Sequence, residues 1–297
     1  MDLQARTVAL VEGLLGSGGL DFGFSACPTA PAAYPTPLSS CGRFRENSPS
    51  ASFGRSVETY YGPDLAWVHH TGYSHYVERT WPGIVRLLRD GGLAHGAHVV
   101  DVGCGSGLLA QRLLDAEFEV TGIDASPAMI DLARSDVPGA RFEVMRLPAR
   151  SLDALPQADA VVSTGHVLNY LDSAIDIAQA LRELAHALRP GGVVAIDLMT
   201  EAFAEPSAVH ARVEDHWAIV TRYYRAVPGR FDRAITVFRR VGEHWRRSDE
   251  QHRNATFDPQ EALRILRDEG VEARQRSAFG EETLPEGLIV LTGTRQA

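Results

Sequence analysis

The chain has 297 residues, 44% of them hydrophobic and 23% charged, an ordinary globular balance with enough apolar material for a sizeable core and one or two domains. Its net charge of −9 speaks against a broad nucleic-acid surface, because phosphate binding rests on accumulated positive charge. No stretch approaches the roughly 20 uninterrupted apolar residues of a membrane-spanning helix. The short apolar run from Val8 to Leu15 is broken by Glu12 and does not read as a secretory signal, so the expected location is the cytoplasm.

Residues 1–55 are rich in proline and small residues, as in the run Cys27 to Pro37, and read as a poorly ordered extension. Order is expected from residue 56. Helices are predicted over 64–78 and 82–92, the second with Pro82 in its first turn, Ile84, Val85, Leu87 and Leu88 as its apolar stripe, and Gly91-Gly92 as its stop. From 97 to 198 strands and helices alternate: strands at 98–102, 119–124, 141–145, 158–163 and 193–198, and helices at 108–116, 127–134 and 172–189. Strands joined by helix-length connections imply a parallel sheet covered on both faces.

The pattern then changes. Residues 217–227, 231–241 and 244–257 read as antiparallel strands joined at Pro228-Gly229 and near Gly242-Glu243, followed by a helix at 259–269 and strands near 272–279 and 286–294. The expected fold is therefore α/β: a Rossmann-like, mostly parallel seven-stranded sheet. A helical lid (56–95) precedes the core (97–198), an antiparallel insertion (205–257) interrupts the chain, and residues 258–297 complete the sheet. The insertion carries arginines at 222, 225, 230, 233, 239, 240, 246, 247 and 253; most read as the wet face of a half-buried sheet, with one or two turned toward a pocket.

The strongest chemical signal is Asp101-Val102-Gly103-Cys104-Gly105-Ser106-Gly107, set between a strand and a helix. Glycines there permit positive backbone torsions and let a ligand approach the main chain without meeting a β-carbon. Asp124 ends the following strand, where a carboxylate can accept both hydroxyls of an adenosine ribose. A dinucleotide fingerprint would want a third glycine at position 108, which is leucine, and Asp101 adds a negative charge that repels a pyrophosphate. The same charge suits a ligand bearing an ammonium and a sulfonium, which points to S-adenosylmethionine. The three cysteines are odd in number and show no CxxC spacing, so Cys104 reads as a small residue filling the turn. His69-His70 does not read as a metal pair, because neighbouring helical side chains point about 100° apart. No metal is expected.

The segments Val99 to Gly107, Val120 to Asp124, Arg146-Leu147-Pro148 and Leu188-Arg189-Pro190-Gly191-Gly192 resemble the ordered motifs of class I S-adenosylmethionine-dependent methyltransferases, over roughly residues 60–297. The resemblance implies that Asp101 and the Gly103–Cys104–Gly105 turn face the methionine end of the cofactor. Asp124 would hold the ribose, Ala125 and Met129 would flank the adenine, Arg146 and Leu147 would cover it, and Thr164, Gly165 and His166 would lie beside the sulfonium. Many relatives place an acid after the third strand; here Met145-Arg146 stands in that region. Tyr61, in the lid, is expected to contact the cofactor. His166 is the candidate general base, and His70, Asn169 and Tyr170 are the substrate candidates. The reaction this implies is methyl transfer to oxygen, nitrogen or carbon of a small acceptor, with no nucleic-acid or membrane partner, by a monomer or homodimer. The alternatives are a fold relative that binds the cofactor and catalyses something else, a non-catalytic cofactor-binding protein, and a nicotinamide-dependent oxidoreductase.

Overall fold

The computed structural model describes residues 60–203, 209–224 and 227–297. The extension expected at 1–55 lies outside the described residues. A seven-stranded sheet has the order β3-β2-β1-β4-β5-β11-β10. It is built from β1 (His98–Val102), β2 (Glu119–Asp124), β3 (Arg141–Val144), β4 (Ala158–Ser163), β5 (Leu188–Met199), β10 (Val271–Arg276) and β11 (Leu288–Arg295). The strands β1 to β5 run parallel, while β11 is antiparallel to β5 and β10 to β11.

Both faces are covered, which is why the central strands are apolar without alternation. Val99 in β1, Ala160 and Val162 in β4, and Val193 and Ala195 in β5 face one helical layer: α2 (His75–Asp90), α3 (Leu108–Asp115) and α4 (Pro127–Asp136). Their neighbours Val100, Val161, Val194 and Ile196 face the other: α5 (Ala174–Ala187) and α6 (Pro259–Asp268). Ile177, Leu181 and Leu184 of α5 recur at helical spacing and are fully buried; each such side chain contributes about 1.5–3 kcal/mol relative to exposure. The order reverses between β1 and β4, and in doubly wound sheets that switch point opens a crevice beyond the carboxyl ends of the strands.

A second, four-stranded antiparallel sheet has the order β6-β7-β8-β9: β6 (Val209–Val213), β7 (Trp217–Tyr224), β8 (Arg230–Val241) and β9 (His244–Ala255). Leu65 and Val68 of α1 (Pro63–Gly72) pack against Trp217, Ile219, Ile235 and Val237 on its inner face. No helix of the described residues is long and apolar enough to cross a membrane.

Local differences from the sequence reading have physical causes. The helix expected at 64–78 is two, α1 and α2, separated at Tyr73-Ser74. Pro82 lies inside α2, not in its first turn; it is exposed, so water can take the carbonyl that the missing N–H leaves unpaired. β5 begins at Leu188, not Val193, because Leu188 pairs with Ala158 and a register shift absorbs the intervening turn. β6 was not anticipated: Val209, Ala211 and Val213 do alternate with His210 and Arg212, but the strand has only five residues and is exposed along most of its length.

Candidate functional site

The chain leaves β1 through a glycine-rich turn. Gly103 has φ +70°, and a β-carbon there would lie 2.3 Å from a Val167 methyl. Gly105 has φ +53°, but a β-carbon there would face open crevice, with Met129 Sδ at 3.9 Å its nearest neighbour. The backbone N–H groups of Gly103 and Cys104 donate to the Ile123 carbonyl at 2.7 and 3.0 Å, and that of Gly105 donates to Asp124 Oδ2 at 3.0 Å. These amides are spent on holding β1 to β2, and the Cys104 carbonyl accepts from Gly107 N at 3.0 Å, so the turn is closed by its own backbone. The Cys104 side chain is buried and its thiol is pushed well up by burial and then by Asp101, which suits filling the turn and not nucleophilic attack.

Two carboxylates bracket this turn. Asp124 Oδ1 accepts from Ser126 N at 2.8 Å, and burial raises its carboxyl against the pull of those backbone donors. Asp101 is 1% exposed and its Oδ2 has no hydrogen-bond partner. Burial, and then repulsion from Asp124, push its carboxyl up to about 7. An orphaned acid beside an open glycine cradle is what an ammonium-bearing ligand would complete.

Two adjoining cavities open here and share Tyr61, His69, Gly103, Gly105, Thr164, Gly165 and Tyr170. The first runs over the β2 and β3 ends and is further lined by Asp124, Ala125, Ser126, Met129, Met145, Arg146 and Leu147. Arg146 lies 3.7 Å from Asp172. The second runs under the four-stranded sheet and includes Asp101, Cys104, Tyr73, Tyr76, His166, Ile219, Tyr223, Arg233 and Ile235.

Tyr61 joins the two halves. Its N–H donates to Glu250 Oε2 at 2.8 Å, its carbonyl accepts from Ser126 Oγ at 2.7 Å, and its hydroxyl meets that of Tyr170 at 2.9 Å. The loop after β4 is fixed by Asp197, fully buried in β5, which accepts from Gly165 N at 2.8 Å, His166 N at 2.6 Å and the Tyr76 hydroxyl at 2.5 Å. Burial pushes the Asp197 carboxyl up to about 6 in spite of these donors. His166 adopts a left-handed backbone, φ 48°, and its ring stacks on Tyr170 at 6.0 Å. Its Nδ1 is buried without a partner, and burial, then the Arg233 charge, push its pKa down to about 3.

Two substrate candidates are not at the cavities. His70 turns away, hydrogen-bonding Ser106 Oγ at 3.0 Å and Asp136 at 3.0 Å; it is His69, one residue earlier, that faces both cavities. Asn169 is fully buried: its Nδ2 donates to the carbonyls of Met199 at 2.9 Å and Ala255 at 2.6 Å, and its Oδ1 accepts from Met199 N at 2.8 Å. It is a tie between β5 and β9, not a substrate contact. Adjacent positions on a helix or 3₁₀ turn point in different directions, and a one-residue error moves a side chain from cavity to core.

His69 and Asp197 were missed, and Arg233 was named only as one of nine arginines of which one or two were expected to face a pocket. His69 is driven down to about 4 by burial and then Arg233. Asp197 carried a visible signal, an acid inside the apolar run Val193 to Met199, as did Arg233 between Phe231 and Ile235. Among the described residues no cluster of three or more His, Cys, Asp or Glu side chains is placed to hold a metal ion.

Known proteins carry the same frame. A family model described as a methyltransferase domain matches residues 99–192. A putative methyltransferase, YqeM, of Bacillus subtilis is 25% identical over 199 residues, 65% of this chain and 81% of that protein. A trans-aconitate 2-methyltransferase of Methylobacterium nodulans is 37% identical over 132 residues, 44% of this chain and 48% of that enzyme. Among solved structures, the sugar N-methyltransferase KedS8 from a Streptoalloteichus species superposes with a TM-score of 0.66 at 20% identity, covering 86% of this chain and all of that one, a likeness of fold.

Proposed function

We propose that the chain, whose residues 99–192 match a methyltransferase-domain family model, is a class I S-adenosylmethionine-dependent methyltransferase that methylates a small molecule seated in the second cavity with a cofactor seated in the first. The observation that carries this reading is the junction of the two cavities: Gly103, Gly105, Thr164 and Gly165 line both, so residues of the glycine turn that would hold the cofactor also border the space for an acceptor.

Bound there, S-adenosylmethionine supplies a methyl group activated by its sulfonium. The chain's own residues would do the rest. Asp101 Oδ2 would take the ammonium of the methionine end, and Asp124, whose oxygens keep lone pairs beyond the backbone bonds they accept, would take the ribose hydroxyls. Ala125, Met129 and Leu147 flank the adenine, and Arg146, held toward Asp172, covers its edge. Cys104 fills the turn.

Methyl transfer is an in-line displacement, so its rate rests mainly on holding donor and acceptor in line and away from water. Tyr61, anchored on Glu250 and Ser126, closes the crevice, and Tyr170 and His166 form the acceptor's wall. A general base contributes about 10²–10⁴-fold when its pKa lies near the working pH. At about 3, His166 is far below that range. We assign it the orienting of an acceptor through a neutral imidazole, with positioning as the main source of rate.

The test is calorimetry with S-adenosylhomocysteine and with NAD, followed by transfer from methyl-labelled cofactor to a panel of small acceptors. Binding of the homocysteine product and label in an acceptor support the reading; binding of NAD alone, or cofactor binding without transfer to any acceptor, would overturn it.

A further inference from the structure

The inner face of β8 reads Phe231, Arg233, Ile235, Val237, Arg239, with the three apolar members all buried. The two arginines on this face are treated differently. Arg239 lies 3.5 Å from Asp64, and Arg246, its cross-strand partner, donates to Asp64 Oδ2 at 2.6 Å. That end of the sheet is neutralised by a carboxylate from α1.

Arg233 has none. Among the described residues its guanidinium meets only neutral groups: the Tyr170 hydroxyl, and the Asn254 Oδ1 at 3.3 Å. Its Nε is buried and has no partner, and the side chain lines the second cavity. A buried cation without a counter-charge is costly, and a folded protein keeps one where a ligand completes the pair. The remaining lining offers no substitute. His69 and His166 are kept neutral by burial and by this same cation, and Asp101, the one acid lining the cavity, sits on the glycine turn and makes no ion pair with Arg233. Around it stand Leu65, Tyr73, Tyr76, Ile219 and Ile235, an apolar and aromatic wall.

We propose that Arg233 is the carboxylate-binding group of the acceptor site, and that the acceptor is a small carboxylic acid with an apolar or aromatic body. The proposal rests on the methyltransferase reading above and adds to it the class of acceptor. A carboxylate is favoured over a phosphate because Arg233 is the one Arg or Lys lining this cavity, so a single positive charge faces the acceptor. Nη2 is shared between Tyr170 and Asn254, which leaves the N–H of Nε and those of Nη1 for a monoanion.

The experiment uses the full chain saturated with S-adenosylhomocysteine, with ligand-detected NMR to measure binding of matched probes: benzoate and benzamide, phenylacetate and phenylacetamide, and phenyl phosphate. The wild-type protein is expected to bind each acid at least about tenfold more tightly than its amide, the scale of a charge-assisted hydrogen bond. Arg233→Gln is expected to erase that preference while holding S-adenosylhomocysteine within about twofold of wild type, which also reports that the variant is folded; Arg233→Lys, which keeps a point charge, is expected to retain part of it. Acids and amides binding alike to the wild type, or a preference that survives Arg233→Gln, would overturn the proposal. So would phenyl phosphate binding more tightly than both carboxylates, which would make the subsite one for phosphate. If S-adenosylhomocysteine binds and the acids show no preference, the acceptor class fails alone; if S-adenosylhomocysteine does not bind, the cofactor reading fails and this proposal with it.

Discussion

The crevice over β1 and β2 and the chamber beneath the four-stranded sheet meet at the same glycines, yet they are made in opposite ways. The crevice is local. Asp101 to Gly107 and Asp124 lie within one strand-turn-helix-strand unit, and its shape is set by backbone torsions and by amides that bond to Ile123 and Asp124. The chamber is assembled from afar: Tyr61 meets Tyr170 from 109 residues away and Glu250 from 189. A backbone-built site can hold one ligand shape across many proteins, whereas a wall of side chains borrowed from a lid and a roof can change without disturbing it. On the function proposed above, the common step of the chemistry would belong to the first and the choice of acceptor to the second.

The sharpest way to break the two apart is Gly105→Val. A β-carbon there enters open crevice and strikes no protein atom closer than 3.9 Å, so the chamber should stay assembled. The φ of +53° adds strain for a β-branched residue, on the order of 1–2 kcal/mol, which a domain of this size survives. Binding of S-adenosylhomocysteine should disappear, by at least about two orders of magnitude in calorimetry, with the melting temperature lowered by only a few degrees. Retained binding would place the cofactor elsewhere.

Asn169→Ala should do the reverse. Its amide is the tie between β5 in the core and the end of β9 in the roof, and its loss strands two carbonyls and the Met199 N–H in a buried place. The expected cost is about 2–4 kcal/mol, a fall of about 5–10 °C in melting temperature. S-adenosylhomocysteine affinity, measured below the transition, should change by less than about threefold. A stable variant with a weakened cofactor site would contradict the structural role of this residue.

The same contrast governs what the sequence disclosed. Strands β1, β2 and β4, both glycine-turn carboxylates and the sheet's switch point were legible because periodicity and turn chemistry are local signals. Residues 101, 103, 105 and 124 were named from them, residues 61, 164, 165 and 166 from the family resemblance, and all line the cavities. The chamber was legible only in part: Tyr61, His166 and Tyr170 line it as expected, while His69 was not singled out and Arg233 not set apart. Whether His69 or His70 faces inward depends on where α1 docks, and Asn169 and Tyr170 differ only in the pitch of a 3₁₀ turn. Arg233 was one of nine arginines in the insertion. Its solitude emerges only once Asp64 is seen to serve Arg239 and Arg246 instead.

Within the crevice, Asp124→Ala should weaken S-adenosylhomocysteine binding by about 1–3 kcal/mol, the value of lost charge-assisted bonds to the ribose, and part of the loss would come from releasing the Gly105 N–H that Oδ2 now holds. Asp124→Asn separates the two causes: the amide oxygen can keep Gly105 in place while its charge is gone, so an intermediate loss is expected. Equal affinity in all three proteins would remove Asp124 from the ribose.

The mildest effect belongs to Asp101, at the junction of the two regions. Its carboxyl is raised to about 7 by burial and then by Asp124, so below that pH the ligand-free crevice holds it protonated. An ammonium binds the carboxylate, not the acid, so cofactor affinity should rise with pH, by up to about tenfold per unit below pH 7, and level off above it. Binding at pH 6.5 should release a proton, visible as a dependence of the binding enthalpy on the ionisation enthalpy of the buffer. The stability of the ligand-free protein carries the opposite sign. In the unfolded chain this group titrates near 4, so the folded state binds the extra proton between about 4 and 7, and the group's contribution to stability falls as pH climbs through that window. Asp101→Asn should flatten both profiles. A pH-independent affinity in the wild type between 6 and 8 would mean that the ammonium is held by another group, and that the unpartnered oxygen of Asp101 serves the turn alone.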